Sequence, residues 1–334
     1  MQLGKYPRAK LAQLPTPLEF MPRLTKALGG PKLYVKRDDC TGLATGGNKT
    51  RKLEFLLGEA LAQGAETLIT LGAVQSNHVR QTAAAAAKFG LKCEIVLEKR
   101  LSQTTEAYER NGNVLLDKML GANLRYVPGG TAMLPAAEVV ADEIRAKGGR
   151  PYVIPGGGSN PVGALGYIDS AQEILRQSGE MGFAVDTVVV ATGSCGTQAG
   201  LVVGFEAAQS GVDVLGICVR QPGPVQEAAV FKLVEPTAAF VGLKHPIARE
   251  RVMADGGYVG EGYGVPTSGM IEALDMAAKL EGLLLDPVYS GKAMAGLIDL
   301  ARKGKWRADQ TVVFIHTGGQ AALFAYEPVL GGPR

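Results

Sequence analysis

Only three histidines occur in the 334 residues, His78, His245 and His316, and no two stand four apart as a helical metal pair would. Zinc chemistry is therefore not expected, because zinc sites draw on clustered His and Cys ligands. Cysteine is also sparse: Cys40, Cys93, Cys195 and Cys218 form no CxxC pair. Scattered thiols of this kind suit a reducing compartment rather than a disulfide framework. No apolar run reaches the roughly 18 residues of a membrane span. The opening MQLGKYPRAKLAQLPTPLEF is broken by prolines and charges and has no signal-peptide core. The formal net charge is +3, with acids and bases interspersed, so no basic stripe marks a nucleic-acid surface. What remains is an ordinary globular composition, 46% hydrophobic and 20% charged. These absences predict a soluble, cytoplasmic protein acting on a small molecule, with no membrane and no nucleic-acid partner.

Short segments rich in β-branched residues recur along the chain: LYVKR (33–37), TLITL (67–71), CEIVL (93–97), DTVVVA (186–191), DVLGICV (213–219) and TVVFI (311–315). Such runs read as buried parallel strands. Helical patterns lie between them. Leu53, Leu56, Leu57 and Leu61 share one helical face, and the alanine-rich TAAAAAKFG (82–90) closes at Gly90, a residue suited to a helix end. The alternation predicts an α/β fold with open parallel sheets. Glycine-rich breaks at PGGT (128–131) and PGGGSN (155–160) suggest a hinge. They divide the chain into a small domain, 51–155, and a large one formed by 1–50 plus 156–334.

Five motifs could carry chemistry. In TGGNKTRKLEF (45–55), two glycines allow a tight turn, Asn48 can cap, and Lys49 falls at a helix start. The helix dipole there disfavours an ammonium, and a neutral amine is what carbonyl chemistry requires; the alternative is a surface lysine on a glycine turn. In GAVQSNHVRQTAAAAA (72–87), Ser76 and Asn77 lie at the carboxyl end of a strand, where ligands of open sheets collect. Both are also ordinary helix caps. ATGSCGTQAG (191–200) joins a strand to a helix through glycines and forms an anion nest, with no lysine in the loop. Amides with the hydroxyls of Ser194 or Thr197 suit a phosphate monoester, and Cys195 reads as a small buried thiol. In LLLDPVYSGKAMAGL (283–297), Asp286-Pro287 marks a turn and Ser290 can cap a helix beginning at Gly291. Tyr289 stands at the same turn. FIHTGG (314–319) is another strand ending in a glycine turn.

Taken together, LPTPLE, KRDD, GGNKTRKLEF, QSNHVRQTAA, PYVIPGGGSN, GALGY, GYGVP, DPVYSGKAMAGL, HTGG and LFAY resemble the D-cysteine desulfhydrase and aminocyclopropane-carboxylate deaminase family over nearly the whole chain. Within that family, KRDDCTGLATGGNKTRK (36–52) and GTQAG look most like the L-cysteate sulfo-lyase branch. The resemblance implies the fold-type II architecture of pyridoxal 5'-phosphate (PLP) enzymes, related to the tryptophan synthase β-subunit, with PLP bound by the large domain. It also implies a homodimer. Lys49 matches the Schiff-base lysine and Asn77 the residue facing the phenolic oxygen of PLP. Ser76, Asn77 and His78 fall on the substrate side. Gly193, Ser194, Cys195, Gly196 and Thr197 match the phosphate cradle, Tyr263 and Tyr289 the active-site tyrosines, and Ser290 the partner of the pyridine nitrogen. Family deaminases carry glutamate directly after the DPVY tyrosine, and Ser290 stands there in this chain. That departure favours α,β-elimination of a β-substituent over deamination.

The expected reaction converts L-cysteate to pyruvate, sulfite and ammonia. D-cysteine desulfhydration is the first alternative and aminocyclopropane-carboxylate deamination the second. A sulfonate needs more hydrogen-bond donors than a thiol, and Thr45, Gln198 and Gln320 are the candidates because each lies in or beside a cofactor-facing motif. A binding protein for an anionic metabolite is the non-enzymatic alternative.

Overall fold

The computed structural model describes residues 2–331. Its strands are β1 (Leu18–Phe20), β2 (Lys32–Lys36), β3 (Thr67–Ala73), β4 (Lys92–Lys99), β5 (Asn123–Pro128), β6 (Pro151–Ile154), β7 (Thr187–Thr192), β8 (Asp213–Cys218), β9 (Met253–Asp255) and β10 (Thr311–Ile315). All six expected strands are present within a residue or two at most ends. The four unexpected ones, β1, β5, β6 and β9, are short or polar, and a local apolar pattern does not mark them.

The strands form two sheets. One has the order β1-β2-β10-β7-β8-β9 and the other β5-β4-β3-β6. Every pairing is parallel except β1 with β2. Parallel strands are covered on both faces, which is why they read as near-continuous apolar runs. In the larger sheet Val189 of β7 pairs with Phe314 and Leu215, and all three are buried. The smaller sheet turns Leu68 and Ile95 to one core and Ile69 and Val96 to another. Among the described residues no helix is long and apolar enough to cross a membrane.

Two packing features position the site. First, the helix Gly196–Ala207 lies unusually close to the long helix Pro161–Glu180. A Cβ on Gly200 would stand 2.4 Å from the Ala164 carbonyl oxygen, so only glycine permits the approach. Second, a buried ion cluster anchors the helix Lys49–Ala62. Arg51 donates to Asp38 and to Glu173 at 2.8 Å, and Lys36 reaches Glu173 at 2.5 Å. All four side chains are buried. Removing one partner from such a cluster strands a charge in the interior, at a cost of about 3–5 kcal/mol. The cluster therefore fixes where Lys49, two residues before Arg51, begins its helix.

Candidate active site

The carboxyl ends of parallel strands from both sheets converge on one cavity of about 400 Å³. β3 leads to Ser76, Asn77 and His78, β4 to Arg100, and β6 to Gly156 and Gly157; β7 leads to Gly193, Ser194 and Cys195, β8 to Arg220, and β10 to Thr317. This is where open α/β sheets place their ligands.

Lys49 is the first residue of its helix and lines the cavity. Its Nζ donates to Asn48 Oδ1 at 3.0 Å and stands 5.9 Å from the centre of the Tyr289 ring. Burial lowers its amine to about 8; Asp286 opposes the shift and the Arg80 charge adds to it. The lowered proton affinity anticipated from the helix dipole thus arises from desolvation and a neighbouring cation, and it eases access to the neutral amine that carbonyl chemistry requires. Asn48 does not cap the helix with its side chain. Its Nδ2 donates instead to Thr197 Oγ1 at 3.0 Å, tying the lysine turn to the glycine loop.

That loop spans Gly193 to Cys195 and opens the helix Gly196–Ala207. Cys195 adopts the left-handed φ of 74°, a strained conformation of the kind found at ligand sites. It is half-buried rather than buried, and desolvation raises its thiol, so it is no ready nucleophile. No lysine occurs in the loop, yet the fold brings one to it. Lys52 is fully buried, its Nζ donates to the Gly157 carbonyl at 3.0 Å and to Ser159 Oγ at 3.4 Å, and no carboxylate among the described residues pairs with it. A Cβ on Gly196 would stand 2.9 Å from that Nζ, and one on Gly157 2.1 Å from Ser194 Oγ. Two glycines therefore keep a cradle open at a helix start around a buried lysine without a carboxylate partner, whose proton affinity burial and the nearby Lys49 lower well below the usual value. Such a cradle calls for an anion, and the phosphate of PLP fits it. Lys52, Ser194, Thr197 and the loop amides would hold the phosphate, with Lys49 and Asn77 beside the ring. Lys52 was legible only as a residue one helical turn after Lys49.

On the opposite wall, Tyr263 and Tyr289 share a hydroxyl contact of 2.6 Å, and the Arg100 guanidinium lies 4.9 Å from the Tyr263 ring centre. Burial raises both phenols, Tyr289 to about 12. Arg100 is held by Glu98 at 2.5 Å. His78 is buried, its Nε2 2.8 Å from Thr70 Oγ1, and burial with the nearby lysines keeps the ring neutral. Ser76 is both a cap and a cavity residue: its Oγ accepts from Val79 N at 3.3 Å.

Other expected site residues lie differently. Ser290 does not line the cavity and is not a cap; it is the first residue of the helix Ser290–Arg302. Asp286 supplies the cap, accepting from the Val288, Tyr289 and Ser290 amides, and Ser290 Oγ donates to Asp286 Oδ1 at 2.7 Å. Gly196 stands just behind the cavity wall. Gln198 lines the cavity, but its Nε2 is committed to the Met253 carbonyl at 2.7 Å. Thr45 is exposed and Gln320 half-buried, both outside the lining. Arg100, Arg220, Glu98 and Thr317 also line the cavity; the first three carry no local sequence signal, and Thr317 sits inside the FIHTGG motif.

The pyridoxal-phosphate dependent enzyme family model matches residues 9–318. D-cysteine desulfhydrases of Salmonella choleraesuis and Salmonella typhi are each 47% identical over 326 residues, 98% of this chain and 98% of theirs. A crystal structure of an ACC deaminase homologue superposes with a TM-score of 0.88 at 39% identity, covering 98% of this chain and 96% of that one. A hydrogen sulfide-producing enzyme of Fusobacterium nucleatum shares the fold at a TM-score of 0.64 and 16% identity, over 93% of this chain and 97% of its own. With these relatives, the strand-end cavity and the anion cradle beside a half-buried lysine amine, the chain belongs to the pyridoxal-phosphate dependent enzymes and is a PLP-dependent lyase of fold-type II.

Proposed function

We propose that the protein eliminates the β-substituent of L-cysteate, so that substrate and water yield pyruvate, ammonia and sulfite. The observation that carries this reading is the charge of the cavity. Arg100 and Arg220 both line it, and Glu98, already committed to Arg100, is the one carboxylate among the described lining residues. L-Cysteate brings two anionic groups, a carboxylate and a sulfonate, whereas D-cysteine brings one. A guanidinium fork suits the oxygens of either group. The leaving-group donors are thus assigned to the arginines, in place of Thr45, Gln198 and Gln320.

Bound PLP supplies the electron sink that stabilises charge developing at the substrate Cα. The chain's residues do the rest. Lys49, with its lowered proton affinity, accepts the α-proton at Nζ. Ser76, at the cavity edge of its helix, orients the substrate. Tyr263 and Tyr289 remain protonated because burial raises both phenols, and they present hydroxyl donors to the substrate. The half-enclosed walls limit the water that competes for these bonds.

Desulfhydration of D-cysteine is the second reading, favoured by the names of the Salmonella relatives. Measuring kcat/KM for both amino acids, with pyruvate, sulfite and sulfide followed separately, decides between them. L-Cysteate is expected to be preferred. A clear preference for D-cysteine moves the protein to desulfhydration, and turnover of 1-aminocyclopropane-1-carboxylate to oxobutyrate overturns both readings.

A further inference from the structure

Behind Asn77 lies a fully buried arginine that the reaction as described does not use. Arg80 NH1 donates to Asn77 Oδ1 at 3.2 Å and to Asn113 Oδ1 at 2.7 Å, and its NH2 donates to the Gly46 carbonyl at 2.8 Å. We propose that Arg80 is a positioning residue for the cofactor: it holds the Asn77 amide with its nitrogen toward the cavity, as a donor to the ring oxygen of PLP. The inference rests on the placement of Asn77 beside that oxygen.

The argument is one of donors and acceptors. The two ends of an asparagine amide have nearly the same shape, so only hydrogen-bond partners decide which faces where. A guanidinium has five donors and no acceptor. Whatever faces Arg80 must therefore be oxygen, and this orients Asn77 and Asn113 together. With its Oδ1 on Arg80, Asn113 turns its Nδ2 to Asn77 Oδ1 at 2.9 Å and to the Gln75 carbonyl at 3.0 Å. Asn77 Oδ1 thus receives two donors. Its Nδ2 is the free end of the amide: it lies near Gly319, where an added Cβ would come within 2.5 Å, and Asn77 itself lines the cavity. Direct ion pairing does not explain Arg80. Its Nε has no partner, and neither oxygen of the nearby buried Asp117 accepts a hydrogen bond. By its bond to Gly46 the same side chain also ties the turn that precedes Lys49 to the helix Asn77–Lys88.

A donor on the ring oxygen stabilises its anionic form and so holds down the pH at which the lysine-bound cofactor loses its proton. The test is a pH titration of the visible absorbance band of the holoenzyme. Arg80→Gln, which can offer either end of an amide, should raise the midpoint by about one pH unit, as loss of a hydrogen bond to a charged group requires. Arg80→Lys, again donor-only, should stay near wild type. In an Asn77→Ala background the Arg80→Gln shift should vanish. A purely structural tie predicts a lower Tm with an unmoved midpoint, and that result overturns the proposal. A shift that persists undiminished in Asn77→Ala overturns it too, because Arg80 would then act by its charge alone. Asn77→Ala with the wild-type midpoint overturns the placement of Asn77 beside the cofactor and this role with it. Should Arg80→Gln not fold, neutron diffraction of the wild-type holoenzyme reads the amide directly. Deuterium on the cavity-facing atom of Asn77 supports the proposal, and deuterium on the atom facing Arg80 refutes it.

Discussion

Replacing Ser76 separates two roles that the structure superimposes on one hydroxyl. The residue is extended, at φ −78° and ψ 118°, and its Oγ accepts from Val79 N at 3.3 Å as the N-cap of the helix Asn77–Lys88. That bond is longer than the usual N–H···O distance of about 3.0 Å. Loss of the cap in Ser76→Ala should therefore cost about 1 kcal/mol or less. Unfolding entropy of about 2.1 cal/mol/K per residue gives a chain of 334 residues about 0.7 kcal/mol/K, so the Tm should fall by only about 1.5 °C. The rate has a different scale: a lost proton-handling or orienting group typically costs about 10²–10⁴-fold, or roughly 3–5 kcal/mol of barrier. Ser76→Gly sharpens the contrast, because glycine at an N-cap loses only a few tenths of a kcal/mol, roughly, while still removing the hydroxyl. Calorimetry of the holoenzymes and initial rates of pyruvate release supply both measurements. Both variants should lose rate, and only the alanine variant should lose measurable Tm. A Ser76→Gly enzyme with kcat near wild type would refute the catalytic role and leave Ser76 a cap.

Lys52→Met should retain PLP about 10- to 100-fold more weakly on dialysis, the loss expected for one charge-assisted hydrogen bond to phosphate. Wild-type retention would remove Lys52 from the cradle. Asp117 predicts a pH effect of definite sign. Burial raises its carboxyl to about 8 against the opposing pull of Arg80. Between about pH 4 and pH 8 the folded state therefore holds a proton that the unfolded state has released, so stability falls as pH rises through that window. Asp117→Asn should match wild type near pH 4 and gain up to about 2 °C in relative Tm per pH unit toward pH 8. A Tm difference that stays constant across the window would contradict the raised carboxyl.

Much of the site was legible in local sequence because strand ends and glycine turns are local signals. β3 and β7 and the helices that follow them fall where their apolar runs and caps indicate, which placed Ser76, Asn77 and the Gly193–Cys195 loop. The resemblance to PLP enzymes rested on these same segments, and the family match bears it out. The short strands β1, β5, β6 and β9 carry no local signal because their place in a sheet depends on neighbours rather than on their own composition.

Residue type and spacing determined by themselves the α/β class, the amine at a helix start, the anion nest and the tyrosine turn at Tyr289, while Tyr263 came from the family resemblance. Tertiary structure decided which distant groups meet them. Lys52 reaches Gly157 and the Gly196 loop across more than 100 positions of chain. Arg80 gathers Gly46, Asn77 and Asn113, and Asp286 takes both the cap and the hydroxyl of Ser290. The physical reason is that a cap or a turn is satisfied within a few residues. A buried charge takes whichever partners the packing of two sheets brings within about 3 Å, and no local pattern encodes that choice.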